Sequence, residues 1–365
     1  MASAGTPPYI TSLSRTLSHP PTPTPTPTPT PPSHDQQQRG PQIMDSSDQL
    51  SAQGELPLID LRLLCHADEA EIQKLVVAAK EWGFLQVANH GVPCKLLSKV
   101  EEQACRAFAL PVEAKTRAKP AAGSFHGYIF PKSSKEDGKG LPLSEAIRLP
   151  LNPEHRAEMI FKFWPEGDEA FSSAIEEYIE AVEAILLLLL RSLASGLGLH
   201  PLQFAQNLSK DGNSSALRMN FYPASQPSPT LGFPSHSDPQ VITILHQNGV
   251  DGLQILKDDK WIAIKPRLGS FVVNVGDTLQ VMSNDLYPSV VHRVVMKSDK
   301  FRSSVVFAMA PHPQAILRPA AQLVSEQRPS QYRPFTAEEY FLSTRFHGYN
   351  GKSNLDRFRI SPTLA

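Results

Sequence analysis

The chain predicts an α+β protein: a double-stranded β-helix (jelly roll) core buttressed by helices. Three observations carry this. The N-terminal half holds apolar residues at helical spacing, as in Ile72, Leu75, Val76 and Ala79. The C-terminal half holds short β-branched and aromatic runs broken by Asn248-Gly249, Asp251-Gly252, Asp258-Asp259 and Gly276-Asp277, the pattern of hairpin turns in antiparallel sheet. The length of 365 residues, at 41% hydrophobic content, supplies a sizeable core.

The elements follow in order. Residues 1–54 are expected to form a disordered tail, because the alternating Thr-Pro tract from Thr22 to Thr30 removes backbone donors and favours solvated polyproline-II. Its hydroxyl-rich, acid-poor composition is similar to an organelle transit peptide, which sets a plastid location beside the cytoplasmic one, with Met44 as an alternative start. A first domain, residues 55–165, holds a helix from Asp68 to Lys80, a strand from Leu85 to Ala88 and a helix from Cys94 to Phe108. After Pro111 and Pro120 it is expected to be loop-rich up to Pro165. Residues 166–214 carry a long buried helix, Phe171 to Leu197, ended by Gly196, Gly198 and Pro201.

The jelly roll is expected over residues 215–345, with a C-terminal segment at 346–365. Its strands are read at Leu217–Tyr222, Val241–His246, Leu253–Leu256, Trp261–Ile264, Phe271–Val275, Leu279–Met282, Val290–Val295 and Ser303–Met309.

Charge narrows the partners. Lys and Arg total 35 against 36 Asp and Glu, a formal net charge of −1 without basic runs, which argues against nucleic acid. The longest apolar stretch, Ala184 to Leu190, is far short of the roughly 20 residues that cross a bilayer. The expected partner is a small molecule, taken by a monomer. Cys65, Cys94 and Cys105 lack metal-type spacing and read as reduced intracellular thiols.

His236-Ser237-Asp238, with His292 downstream, is the most informative motif. Alternate residues of an extended strand share a face, so His236 and Asp238 can reach one ion from a single strand while Ser237 points away. His292 sits in a valine run with Val290 and Val294 on its face. Alone it reads as a core histidine bonded to a carbonyl. Together the two imidazoles and one carboxylate are the ligand set that leaves three adjacent positions open on octahedral iron(II). Arg302 and Ser304 share one strand face, and the arginine's planar fork with the serine hydroxyl suits the end of a small dicarboxylate. The period-2 face of Leu217–Tyr222 presents Arg218, Asn220 and Tyr222, so Tyr222 can offer its phenol to the same anion. Taken alone, Arg302 reads equally well as a surface ion pair.

The order Asn220-Phe221-Tyr222-Pro223, His236-Ser237-Asp238, His292 and Arg302-Ser303-Ser304 resembles the plant 2-oxoglutarate and iron(II)-dependent dioxygenases, which include gibberellin oxidases, flavonoid oxygenases and the ethylene-forming oxidase. Leu56-Pro57-Leu58-Ile59-Asp60 and the stretch from Trp82 to Val92 resemble that group's opening domain, in which the second stretch does not bind metal. The resemblance runs from about residue 55 to the C-terminus. It implies His236, Asp238 and His292 as iron ligands, and Tyr222, Arg302 and Ser304 as holders of the distal carboxylate of 2-oxoglutarate. It also implies O2 as oxidant, ascorbate as an auxiliary reductant, and oxidative decarboxylation to succinate and carbon dioxide coupled to hydroxylation of an unactivated carbon.

For the substrate, Asp238-Pro239-Gln240, the stretch from Gly276 to Asn284 and Phe163-Trp164-Pro165 resemble gibberellin oxidases most, with jasmonate, auxin and specialised-metabolite oxygenases as alternatives. A carboxylated diterpenoid would meet Arg148, with Phe125, Tyr128 and Phe307 as an apolar wall. Three other classes share the motif: an oxidase that dispenses with 2-oxoglutarate, a zinc or manganese hydrolase on the same fold, and a catalytically silent metal-binding jelly roll.

Overall fold

The computed structural model describes residues 52–130, 144–212, 214–224, 230–296, 299–347 and 353–360. The Thr-Pro tract, Met44 and the transit-like stretch lie outside the described residues. The chain enters through strand β1 (Ala52–Gly54), β2 (Leu58–Asp60) and helix α1 (Leu61–Cys65), then α2 (Glu69–Trp82) and β3 (Phe84–Ala88). The Asp68 side chain accepts from Glu71 N–H to start α2, and Gly83, at φ 59°, ends it. A Cβ on Gly83 would lie 2.3 Å from the Pro288 carbonyl, so the turn into β3 requires glycine twice over. Residues 52–54 were expected in the tail. Instead β1 pairs in parallel with a later strand, Ala52 opposite Ile262, because an extended segment there satisfies that strand's open edge.

The stretch expected to be loops is ordered in large part. After the expected helix α3 (Cys94–Phe108), it holds α4 (Val112–Arg117), β4 (Gly127–Ile129), β5 (Glu145–Pro150) and α5 (Pro153–Phe163) before the long α6 (Glu169–Ser195). Of the prolines that suggested loops, Pro111 stands at the N-cap of α4 while Pro120 lies outside helix and strand, and Pro153, further on, opens α5.

The second half supplies β6 (Leu208–Ser209), β7 (Ala216–Tyr222), β8 (Thr230–His236), β9 (Ile242–Gln247), β10 (Leu253–Lys257), β11 (Lys260–Ile264) and β12 (Phe271–Val275). Next come α7 (Asp277–Met282), β13 (His292–Met296), β14 (Arg302–Pro311), β15 (Ile316–Leu317), β16 (Phe335–Thr336), α8 (Ala337–His347) and α9 (Ser353–Asp356). Leu279–Met282, expected as a strand, is thus helical. Gly276 lets the chain pass so close to the Gln240 carbonyl that a Cβ would lie 2.0 Å from it, and the backbone turns into α7 instead of extending.

Two main sheets form the jelly roll. The smaller runs β1-β11-β10-β13-β8 and the larger β2-β3-β12-β9-β14-β7-β5-β4, with β6 on the edge of β14. Strand parity divides their residues. On β14 Val305, Phe307 and Met309 join the core with Leu186, Leu189 and Leu190 of α6, while Arg302, Ser304, Val306 and Ala308 face the opposite way into a cavity. Each buried leucine of α6 contributes roughly 1.5–3 kcal/mol, so packing and not propensity fixes this helix. A second cluster, including Val281, Leu317, Tyr332, Tyr340 and Phe358, ties α7 to the C-terminal elements. Among the described residues no helix is long and apolar enough to cross a membrane.

Candidate functional site

β8 ends where β13 begins, and the two residues at that point, His236 and His292, are direct register partners. Their ring centroids lie 4.2 Å apart. Asp238 was expected on the same strand as His236 but lies two residues past its end, in the connection to β9. Its Oδ1 is 3.5 Å from His236 Nε2 and its Oδ2 is 3.7 Å from His292 Nε2. One ligand atom from each residue falls within 4.8 Å of the other two. Separations of this size suit donors placed about 2.0–2.2 Å from a shared cation.

The surroundings set the protonation these donors need. Nδ1 of His236 lies 2.9 Å from the Pro234 carbonyl and Nδ1 of His292 lies 3.1 Å from the Val290 carbonyl. A carbonyl only accepts, so each Nδ1 donates its proton there, which leaves Nε2 as the nitrogen that faces the centre. Asp238 Oδ2 accepts from Thr243 Oγ1 at 3.1 Å and from Asn274 Nδ2 at 2.8 Å. Burial pushes the Asp238 carboxyl up, yet His292, His236 and Asn274 outweigh it and hold the group well below the usual carboxylate range. Burial, and then His236, push His292 down to about 4. At neutral pH the set is one carboxylate with a neutral His292, a state ready for a divalent cation.

A cavity of about 310 Å³ opens from this centre. At one end Arg302 is 1% exposed, its Nη2 donating to Gln247 Oε1 at 2.9 Å. Its Nε and Nη1 are buried with no hydrogen-bond partner among the described residues. It is no surface ion pair. Burial, opposed only in part by Tyr222, pulls the guanidinium below its ordinary value. A buried cation with two unmet N–H groups is costly unless an anion completes it. Tyr222 and Asn220 stand directly across from Arg302 and Ser304. Asn220 Nδ2 donates to Ser304 Oγ at 3.2 Å, which leaves the serine proton to be given to the same anion. Gly252 makes room for the arginine, since a Cβ there would sit 3.1 Å from its Cδ. This end fits a carboxylate.

At the other end Arg148 on β5 lies directly opposite Arg218 on β7, and both line the cavity. Arg148 Nη2 donates to the Ser214 carbonyl at 3.0 Å and its guanidinium lies 5.7 Å from the Phe125 ring. Arg218 Nε donates to Asn220 Oδ1 at 2.7 Å, its guanidinium 4.9 Å from the Phe233 ring. Like charges placed opposite each other in a sheet repel, and a shared anion relieves them. Tyr340, Phe341 and Thr344 of helix α8 also line the cavity.

Of the four residues expected to meet the substrate, Phe125 and Arg148 line the cavity. Tyr128 and Phe307 do not. Tyr128 is 2% exposed with its hydroxyl bonded to Glu145, which also takes Lys115, and Phe307 points into the helix-facing core because it has the opposite parity to Arg302 on β14. Parity alone excluded Phe307. Arg218, Phe233 and Phe341 are additions: Arg218 shares the face of Tyr222, but Phe233 and Phe341 carry no local signal.

Comparison with known proteins agrees with this geometry. Residues 213–311 match the 2OG-Fe(II) oxygenase superfamily, and residues 56–167 match the non-haem dioxygenase in morphine synthesis N-terminal family. Jasmonate-induced oxygenase 2 of Arabidopsis thaliana is 36% identical over 313 residues, covering 84% of this chain and 83% of that protein. Codeine O-demethylase of Papaver somniferum is 34% identical, over 84% and 85%. A crystal structure of JOX2 in complex with 2OG, Fe and JA superposes with a TM-score of 0.74 at 35% identity, covering 86% of this chain and 91% of that one. A dioxygenase for auxin oxidation in rice superposes at 0.71 with 28% identity, over 84% and 100%.

Proposed function

Because the chain belongs to the plant 2-oxoglutarate and iron(II)-dependent oxygenase family, we propose that it hydroxylates a small, largely apolar plant metabolite that carries a carboxylate. The protein is a dioxygenase that uses iron(II), 2-oxoglutarate and O2. When bound, iron and 2-oxoglutarate supply the oxidising chemistry, one oxygen atom of O2 going to the substrate and the other to succinate, with carbon dioxide released.

The residues divide the remaining work. His236, Asp238 and His292 hold the iron, their second nitrogens and oxygens fixed by Pro234, Val290, Thr243 and Asn274. Arg302, Ser304 and Tyr222 hold the distal carboxylate of 2-oxoglutarate, which supplies the acceptors that Arg302 Nε and Nη1 lack. Arg148 and Arg218 take the substrate carboxylate, and Phe125, Phe233 and Phe341 exclude water from the reacting carbon. The chain acts as a monomer in this reading, since its own helix α8 completes the cavity.

The facing arginines carry the substrate assignment. Jasmonate, bound in the related structure, is of this chemical kind, and auxin is another such acid; a gibberellin remains a larger member of the class. Incubation with iron(II), 2-oxoglutarate and air across jasmonate, auxin, gibberellins, flavonoids and their methyl esters, read by mass spectrometry, tests it. A gain of one oxygen on a free acid, lost on its ester, is the expected result. Preference for an uncharged flavonoid would overturn it.

A further inference from the structure

Helix α7 stands between the metal-ligand turn and the C-terminal helix. Its first residue, Asp277, is 2% exposed. The Asp277 backbone N–H donates to the Asp238 carbonyl at 2.7 Å, and Thr278 Oγ1 donates to the Pro239 carbonyl at 2.7 Å. Asp277 Oδ2 accepts from Ser237 Oγ at 2.9 Å and from the hydroxyl of Tyr340 on α8, 63 residues further along the chain. Ser237 lies between two of the candidate ligands. A buried carboxylate costs several kcal/mol unless hydrogen-bonded, so Asp277 needs donors on both sides. Burial, then Asp277 itself, push the Tyr340 phenol well above its ordinary value, which keeps it protonated and donating.

We infer that Tyr340 is a positioning residue for the iron centre, acting through the Asp277 carboxylate and the Ser237 hydroxyl to hold the turn that presents His236 and Asp238. The helix that walls the substrate end thereby also steadies the metal ligands. Tyr340 lines the cavity beside Phe341 and Thr344, so pressure on α8 reaches the ligand turn through two hydrogen bonds. This inference rests on the metal assignment proposed above.

Anaerobic titration of the full chain with iron(II) in the presence of 2-oxoglutarate, read by their visible charge-transfer absorption, tests it. Tyr340→Phe is expected to weaken iron binding about 10-fold, the scale seen when outer partners of metal ligands are removed. The measurement is made well below the variant's unfolding midpoint, so lost stability does not mimic it. Leu342→Ala, at an exposed position on the same helix, should bind iron like the parent. Ser237→Ala cuts the same chain at its other end, so the double variant should lose little more than either single one. Parental iron affinity in Tyr340→Phe, or losses that add in full, would overturn the inference. Should Tyr340→Phe fail to fold, Ser237→Ala alone decides, parental affinity again being the overturning result. His236→Ala retaining iron would sink the metal assignment itself, which keeps the two failures distinguishable.

Discussion

The two ends of the cavity are built differently. The end around Arg302 comes from two neighbouring strands in simple register, Arg302 opposite Tyr222 and Ser304 opposite Asn220, with a charge buried to 1% exposure. The end around Arg148 is assembled from β5, β7, β8, the segment before β4 and a helix far along the chain. The difference teaches where generality and choice reside. In the proposed reading a co-substrate common to a family is held by a strand pair in simple register, whereas substrate choice is spread over elements that can vary without disturbing it.

The largest effect should strike both ends at once. His236→Ala removes an imidazole whose Nε2 has no substitute among the described residues, and oxygen-dependent 2-oxoglutarate consumption should fall to background. Oxygen uptake with and without added iron(II) checks this; substantial residual consumption would break the view of one centre serving both ends.

Arg302→Leu should separate them. Losing a buried, fork-shaped partner costs about 3 kcal/mol, so the KM for 2-oxoglutarate should rise on the order of 100-fold while substrate KM barely moves. Because the guanidinium is buried with two unmet N–H groups, the same variant without 2-oxoglutarate should melt at or above the parental temperature. A lower melting temperature would mean the arginine is structural.

Arg148→Gln and Arg218→Gln should act in the opposite sense, raising the KM for a carboxylated substrate about 10-fold each, with the KM for 2-oxoglutarate unchanged. The partly wet, shared site makes the smaller number appropriate. Equal losses on acid and methyl ester would sink the carboxylate reading.

The same contrast explains what the sequence revealed. Alternation along single strands placed Arg302, Ser304 and Tyr222 on cavity faces, and the residue types of His236, Asp238 and His292 named the chemistry. What required knowledge of the fold is the pairing of Arg148 with Arg218 and the return of α8 over the cavity, since both depend on contacts between residues tens of positions apart. Pro111 misled for a local reason: it stands at a helix start, and a proline there reads the same as one in a loop. Asp238 shows the converse, a candidate ligand expected on a strand that ends two residues earlier, where Ser237 turns toward Asp277.

The smallest expected effect concerns how the C-terminal elements behind the substrate end are fastened. Arg359 meets Asp285 with Nη1–Oδ2 at 2.6 Å and Nη2–Oδ1 at 3.3 Å, while Tyr332 and Gln280 also donate to Asp285 Oδ1. Burial pushes the Asp285 carboxyl up, but the bonds from Arg359, Tyr332 and Gln280 outweigh it and hold the group below its ordinary value. A carboxyl whose folded pKa is depressed adds stability that is present above its unfolded value, near 3.9, and lost as pH falls through the folded one. Side chains exposed by 34% and 29% are partly screened, so Arg359→Ala should cost only about 1 kcal/mol at pH 7. Denaturant unfolding of parent and variant should show that gap closing as the pH drops below about 4. A gap that stays constant to pH 3 would assign the arginine's contribution to its stacking on Tyr332, 4.8 Å away, and leave the charge without effect.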